Sequence, residues 1–194
     1  IRRPILLLEG PFAADEIGEI LALSRGRALI LFTGLEAMEA TYRLLAGTLP
    51  YPLLLQGEGP RTQLLERFRA EVDSVLLATR SFWQGVDVVG ESLSCLIVHK
   101  LPFAFPGDPI LEARLEHLAL QGEDPFWGYQ VPSAIINLRQ GLGRLIRGGQ
   151  DRGALCILDG RLLTRSYGRA FLESLPPCPV TSEREEVRRF FASA

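Results

Sequence analysis

Gln140, Arg144 and Arg147 carry the strongest chemical signal in the sequence. Wound as a helix at about 100° per residue, all three fall within about 60° of one another on one face. Ala134, Ile135, Leu138, Leu142, Leu145 and Ile146 gather on the opposite side. Pro132 suits the first turn of such a helix, and Gly148 with Gly149 suits its end. Gly141 and Gly143 flank the polar stripe and leave it bare, so that something bulky can approach. Two guanidiniums and an amide on a helix buried along its other side can grip an anion. Arginine suits phosphate because its planar fork donates paired hydrogen bonds and never loses its charge. An amphipathic helix with merely solvated arginines would read the same way.

A second constellation follows an apolar run that ends at Thr79. It reads Ser81, Phe82, Trp83, Gln84, Gly85, Val86, Asp87. A hydroxyl and exposed backbone amides contact phosphates without reading bases, and a carboxylate suits ribose hydroxyls. Phe82 and Trp83 either offer stacking faces to an unpaired base or fill the core beneath the loop. Other polar residues read more plainly. His99 and His117 stand apart without partners at metal-ligand spacing. Asp159 and Arg161 suit a mutual pair or a brace for the helix of Arg144. Arg61, Arg67 and Arg69 suit a solvated face, and Arg184, Arg188 and Arg189 suit pairing with the glutamates of their own helix.

These residues need a frame, and the hydrophobic pattern supplies one. Apolar runs at 28–32, 53–55, 75–78, 95–98 and 155–158 read as buried strands, with 5–8 as an extended entry segment. Helical spacing covers 13–23, 35–45, 60–72, 110–120, the stretch from 132, and 167–174. Pro176, Pro177 and Pro179 read as a rigid connector, and Ser182 with Glu185 as a capping box for a last helix to Phe191. Alternation of buried strands with helices predicts an α/β fold, a parallel sheet with helices on both faces. Ligands in such sheets sit beyond the carboxyl ends of the strands, where Thr33, Thr79 and Asp159 fall.

The 194 residues suit a single domain with a substantial core. A net charge of −2 excludes a globally basic nucleic-acid binder, so any such surface must be local. Of 21 basic residues only Lys100 is a lysine. Cys95, Cys156 and Cys178 lack metal or disulfide spacing, and the first two sit in apolar runs. Buried thiols, a reducing cytoplasmic setting and no metal site are expected. No apolar run is long enough to span a membrane. The chain begins at Ile1 rather than Met, and a piece of a longer protein is expected.

The spacing Gln140-x-x-Gly143-Arg144-x-x-Arg147 resembles motif six of superfamily-two helicases. Thr79 followed by Gly85 and Asp87 resembles their motif five. The wording from Ser81 to Asp87, then Lys100-Leu101-Pro102-Phe103 and Pro106-Gly107-Asp108-Pro109, looks like the XPD/DinG branch. So do Asp159-Gly160-Arg161, Tyr167-Gly168 and Ser174-Leu175-Pro176, while Leu29 to Thr33 looks like its motif four. The matches keep family order over residues 27–176, and the bacterial DinG type fits best. Gly34 stands where Ser is frequent, which weakens a phosphate contact at that spot.

The resemblance implies the second RecA-like domain of an ATP-dependent 5′ to 3′ DNA helicase, filling residues 1–194. Arg144 and Arg147 would then be arginine fingers, with Gln140 on the γ-phosphate or attacking water. Gly85, Asp87 and Gly143 would approach ATP, and Thr33, Thr79, Phe82 and Trp83 would contact single-stranded DNA. An N-terminal RecA-like domain of the same polypeptide would bring the triphosphate and Mg²⁺, and an iron–sulfur cluster where one exists. The sequence has no Gly-x-x-x-x-Gly-Lys-Ser/Thr loop, so by itself it is expected not to hydrolyse ATP. The alternatives are a non-catalytic nucleic-acid or partner-binding module, the motor half of an RNA helicase, or a RecA-like domain fused to a nuclease.

Overall fold

A computed structural model describes residues 5–7, 14–79, 82, 93–145 and 153–192. The strands are β1 (Ile5–Leu7), β2 (Ala28–Phe32), β3 (Leu53–Leu55), β4 (Val75–Thr79), β5 (Cys95–Val98), β6 (Ala154–Ile157) and β7 (Val180–Thr181). They form one seven-stranded sheet in the order β3-β4-β2-β5-β6-β1-β7. Each pairing is parallel, with Ala28 opposite both Val75 and Cys95, and Ile97 opposite Cys156.

Helices cover both faces, and that is why the central strands read as unbroken apolar runs. Alternate strand residues serve alternate faces. Leu29, Leu31, Leu76, Ala78, Leu96 and Val98 pack toward α3 (Arg61–Ala70), α5 (Val131–Leu145) and α7 (Gly168–Ser174). Ala28, Ile30, Phe32, Val75, Leu77 and Ile97 pack toward α1 (Ala14–Ser24), α2 (Leu35–Leu45) and α8 (Arg184–Ala192). Between β5 and α5 lies α4 (Pro109–Leu120), which buries none of its residues. Asp108 caps it by accepting from Ile110 N–H at 2.9 Å, and Pro109 opens its first turn.

Cys95 and Cys156 are fully buried thiols, as their apolar settings predict. The sheet and its helices follow the sequence reading closely, with five departures. A short helix, α6 (Arg161–Thr164), precedes α7, and the proline connector leads into β7. A π-helical turn at Phe126–Gln130 runs directly into α5. The final helix starts two residues beyond Ser182, and Glu183 N–H donates to Thr181 Oγ1 at 2.9 Å, so Ser182 is not its cap. Arg184 reaches across to Glu16 and Glu19 of α1, whereas Arg188 and Arg189 do pair with Glu185 of their own helix.

The chain turns back on itself between β2 and β5. From β2 it leaves toward β3 at one edge, and from β5 it leaves toward β6 on the other side. Loops departing in opposite directions from neighbouring parallel strands open a crevice beyond their carboxyl ends.

Candidate functional site

Helix α5 is set up by Asp124, whose Oδ1 accepts from Phe126 N–H at 2.9 Å and Trp127 N–H at 3.2 Å. Its inner face is dry: Ala134, Leu138, Leu142 and Leu145 are 0–5% exposed. Gln140 and Gly143 are exposed on the outer side. Nothing lies within 4 Å of where a Cβ on Gly143 would stand. Gly141 is a correction: it is buried and faces the sheet, because it sits close to the angle of Leu138 and Leu145 on the helical wheel. The backbone of Arg144 belongs to α5, one turn beyond Gln140. The Arg144 side chain lies outside the described residues, as do Arg147, Trp83, Gly85, Asp87 and the expected helix end at Gly148 and Gly149.

At the carboxyl ends of the strands, Thr33 is exposed and leads straight into α2, whose cap residue Gly34 brings no side-chain bond. Thr79 is placed differently. It is 8% exposed, and both its N–H and its hydroxyl donate to Gln56 Oε1, at 2.7 and 3.0 Å. A phosphate could take the Thr79 hydroxyl only by displacing Gln56, which directly follows β3. Phe82 is a second correction. It is 6% exposed within the core and lies under the Arg61 guanidinium, 5.3 Å from ring centroid to Cζ. Its face is closed to a base, because the ring is buried among apolar neighbours and beneath Arg61.

Asp159 and Arg161 do pair, with Arg161 Nη2 and Nε at 2.6 and 2.9 Å from the carboxylate. They brace the segment after β5 rather than α5: Asp159 Oδ2 also accepts from Leu101 N–H at 2.8 Å. Burial would raise the Asp159 carboxyl, but the bonds from Arg161 and Leu101 outweigh it and hold it below the usual carboxylate range. Two residues on, Phe103 enters an aromatic cluster with Tyr167 and Phe171, 5.3 and 5.7 Å between centroids. Asn137 of α5 donates to Pro102 O at 3.4 Å. Residues 100–105 are thus held from beneath by α5, α6 and α7, while Lys100 and Phe105 face outward.

His99 is buried beside Phe32, 5.1 Å between ring centroids. Burial first, and then the neighbouring Lys100 charge, lower its pKa to about 4 against an opposing pull from Asp159. It is therefore a neutral residue of the interior at working pH. Among the described residues, no three His, Cys, Asp or Glu side chains gather to hold a metal ion, and no helix is long and apolar enough to cross a membrane.

Sequence reasoning did not find Gln56, Asn137 or Phe105, and it noticed Lys100 as the sole lysine and in the Lys100-Leu101-Pro102-Phe103 wording, without a role of its own. The roles of Gln56 and Asn137 come from contacts between distant segments, which leave no local periodicity. The one available signal was position: each of Gln56, Lys100 and Phe105 follows an apolar run.

Comparison with known proteins extends this geometry. The family model for the helicase C-terminal domain matches residues 17–178. A protein of Escherichia coli named ATP-dependent DNA helicase YoaA is 47% identical over 173 residues, covering 89% of this chain and 27% of that protein. The ATP-dependent helicase DinG of Mycobacterium tuberculosis is 39% identical over 173 residues, covering 89% and 26%. A solved structure of apo XPD superposes with a TM-score of 0.63 at 17% identity, covering 93% of this chain and 39% of that one, a likeness of fold. The chain thus spans about a quarter of the length of the curated relatives it matches. On the match that takes in the β2 end, the β5 segment and the whole of α5, the chain belongs to the helicase C-terminal domain family.

Proposed function

We propose that this chain is the second RecA-like motor domain of an ATP-dependent 5′ to 3′ DNA helicase. A P-loop domain of the same polypeptide would hold the triphosphate, since the sequence has no phosphate-binding glycine loop with its lysine. The observation that carries the reading is α5 itself. Its inner face is locked under the sheet, while Gln140 and the bare Gly143 lie outward on the turn that carries Arg144. A side chain projected from so firm a helix arrives at a closing interface already oriented.

Phosphoryl transfer is accelerated mainly by positioning and by charge on the transferring oxygens. Arg144 and Arg147 supply that charge from across the cleft, and Gln140 orients the γ-phosphate or the attacking water. Gly85, Asp87 and Gly143 approach the nucleotide. An arginine delivered this way raises turnover by roughly 10³–10⁵. Among the described residues no cluster of ligands for a metal is present, and in this reading Mg²⁺ and any iron–sulfur cluster belong to the other domain.

Thr33 and, once released by Gln56, Thr79 hold backbone phosphates of single-stranded DNA. Asn137 ties α5 to the segment after β5, so the nucleotide side and the DNA side move as one body when the domains close. The test is Arg147→Ala in the full-length protein. ATP hydrolysis should vanish while ATP binding stays nearly intact; hydrolysis within about threefold of wild type would remove the finger assignment.

A further inference from the structure

The crevice beyond β2 and β5 is a formed cleft of about 170 Å³, lined by Leu31, Phe32, Thr33, Lys100, Phe103 and Phe105 among others. Small-molecule sites run to roughly 300–1,000 Å³, so this one has no room for a nucleoside triphosphate. Its walls are mostly apolar, while Thr33 just beyond β2 and Lys100 just beyond β5, the sequence's only lysine, add polar side chains to the lining.

Phe105 is 76% exposed on the rim of this cleft. An aromatic ring this exposed is normally free to swing away, yet this one is held by its own turn. Gly107 adopts φ +112°, and a Cβ there would come within 3.2 Å of Phe105 Cε1, so the ring lies across the glycine. Asp108 N–H closes the turn on Phe105 O at 3.4 Å. The residues beneath are anchored in their turn, Leu101 by Asp159 and Phe103 by Tyr167 and Phe171. An exposed, pre-positioned aromatic face beside an ammonium and a hydroxyl is a platform for an unpaired base with its phosphate.

We infer that the β2–β5 cleft takes one base of the single strand, stacked on Phe105, with its backbone phosphate on Lys100 and Thr33. This rests on the motor-domain reading and adds to it a base-contacting subsite. Stacking on a ring is tolerant of sequence, so the subsite holds whichever base arrives. It also replaces Phe82, whose ring is buried, as the aromatic contact to the strand.

The test uses the full-length protein, fluorescence anisotropy, and two labelled single strands of equal length, oligothymidylate and its abasic counterpart. Phe105→Ala should weaken thymidylate binding roughly 5- to 100-fold, the worth of one stacked base, and change abasic binding by no more than about twofold. Phe105→Trp should restore thymidylate affinity. Lys100→Ala should weaken both strands alike and reduce the slope of log K against log salt by about 0.7. Because the Phe105 ring is largely in solvent, its loss leaves the core intact, and circular dichroism checks this. Thymidylate affinity unchanged in Phe105→Ala, or an equal loss on the abasic strand, overturns the subsite while the motor reading stands. Wild-type protein that binds neither strand overturns both.

Discussion

Asp159 concentrates more structural duty than any other polar residue described. Its buried carboxylate accepts from Leu101 N–H, Arg161 N–H and the Arg161 guanidinium. Asp159→Ala strands the buried Leu101 N–H and should cost on the order of 1–3 kcal/mol, read as a lower urea midpoint at unchanged m-value. Because Leu101 leads into Pro102 and Phe103, the same variant should loosen the segment that carries Lys100 and Phe105. Gln56 is the second residue of interest. By occupying the Thr79 hydroxyl it sets the resting state of a predicted phosphate contact. Gln56→Ala removes that acceptor and should alter single-strand affinity by a few-fold in titrations on the full-length protein, while ATP affinity stays as it was.

At the scale of elements, the corner between α6 and α7 depends on a missing side chain. A Cβ on Gly168 would stand 1.7 Å from Leu162 O, a backbone atom that cannot move aside alone. Gly168→Ala should therefore force the two helices apart at a cost of about 1–3 kcal/mol, visible as a lowered thermal midpoint. The end of β5 contributes a pH dependence. His99 has its pKa lowered from 6.5 to about 4 by burial and by Lys100. The unfolded chain then binds a proton that the folded chain refuses. Stability is full above pH 6.5 and falls as the pH drops toward 4. The depressed Asp159 carboxyl acts in the same direction, losing its contribution as acid reaches its lowered pKa. Urea midpoints measured across this range should decline, and His99→Asn should flatten the part of the decline that lies between the two His99 values.

For the whole molecule, the parallel order of strands decides where chemistry can occur. Thr33, Thr79, Lys100 and Asp159 stand at or beyond the carboxyl ends of parallel strands, and the reversal between β2 and β5 opens a cleft among them. The opposite face of that design is rigidity: α5 is buried along one side of its length, and Asn137 joins it to the cleft's floor. Supplied with a P-loop domain in trans, this chain should restore ATP hydrolysis, and Arg144→Ala in the chain should remove it. Restoration that survives the substitution would transfer the role to another residue. The exposed apolar side chains of α4 and its flanks, Ile110 and Leu120 among them, stand away from the core on this same assembly.

The sequence by itself determined the sheet, its flanking helices and the inward face of α5, because burial on both faces of a strand and one face of a helix writes itself as periodicity. It also marked Gln140 and Arg144, which share α5, and Arg147 by its spacing in the sequence. Only tertiary structure decided the fate of residues whose partners lie far along the chain. It buried Phe82 beneath Arg61, closed Thr79 with Gln56, and turned Asp159 toward Leu101. It alone assembled Thr33, Lys100 and Phe105 around one cleft, since strand order, unlike strand content, is set by packing across the entire sheet.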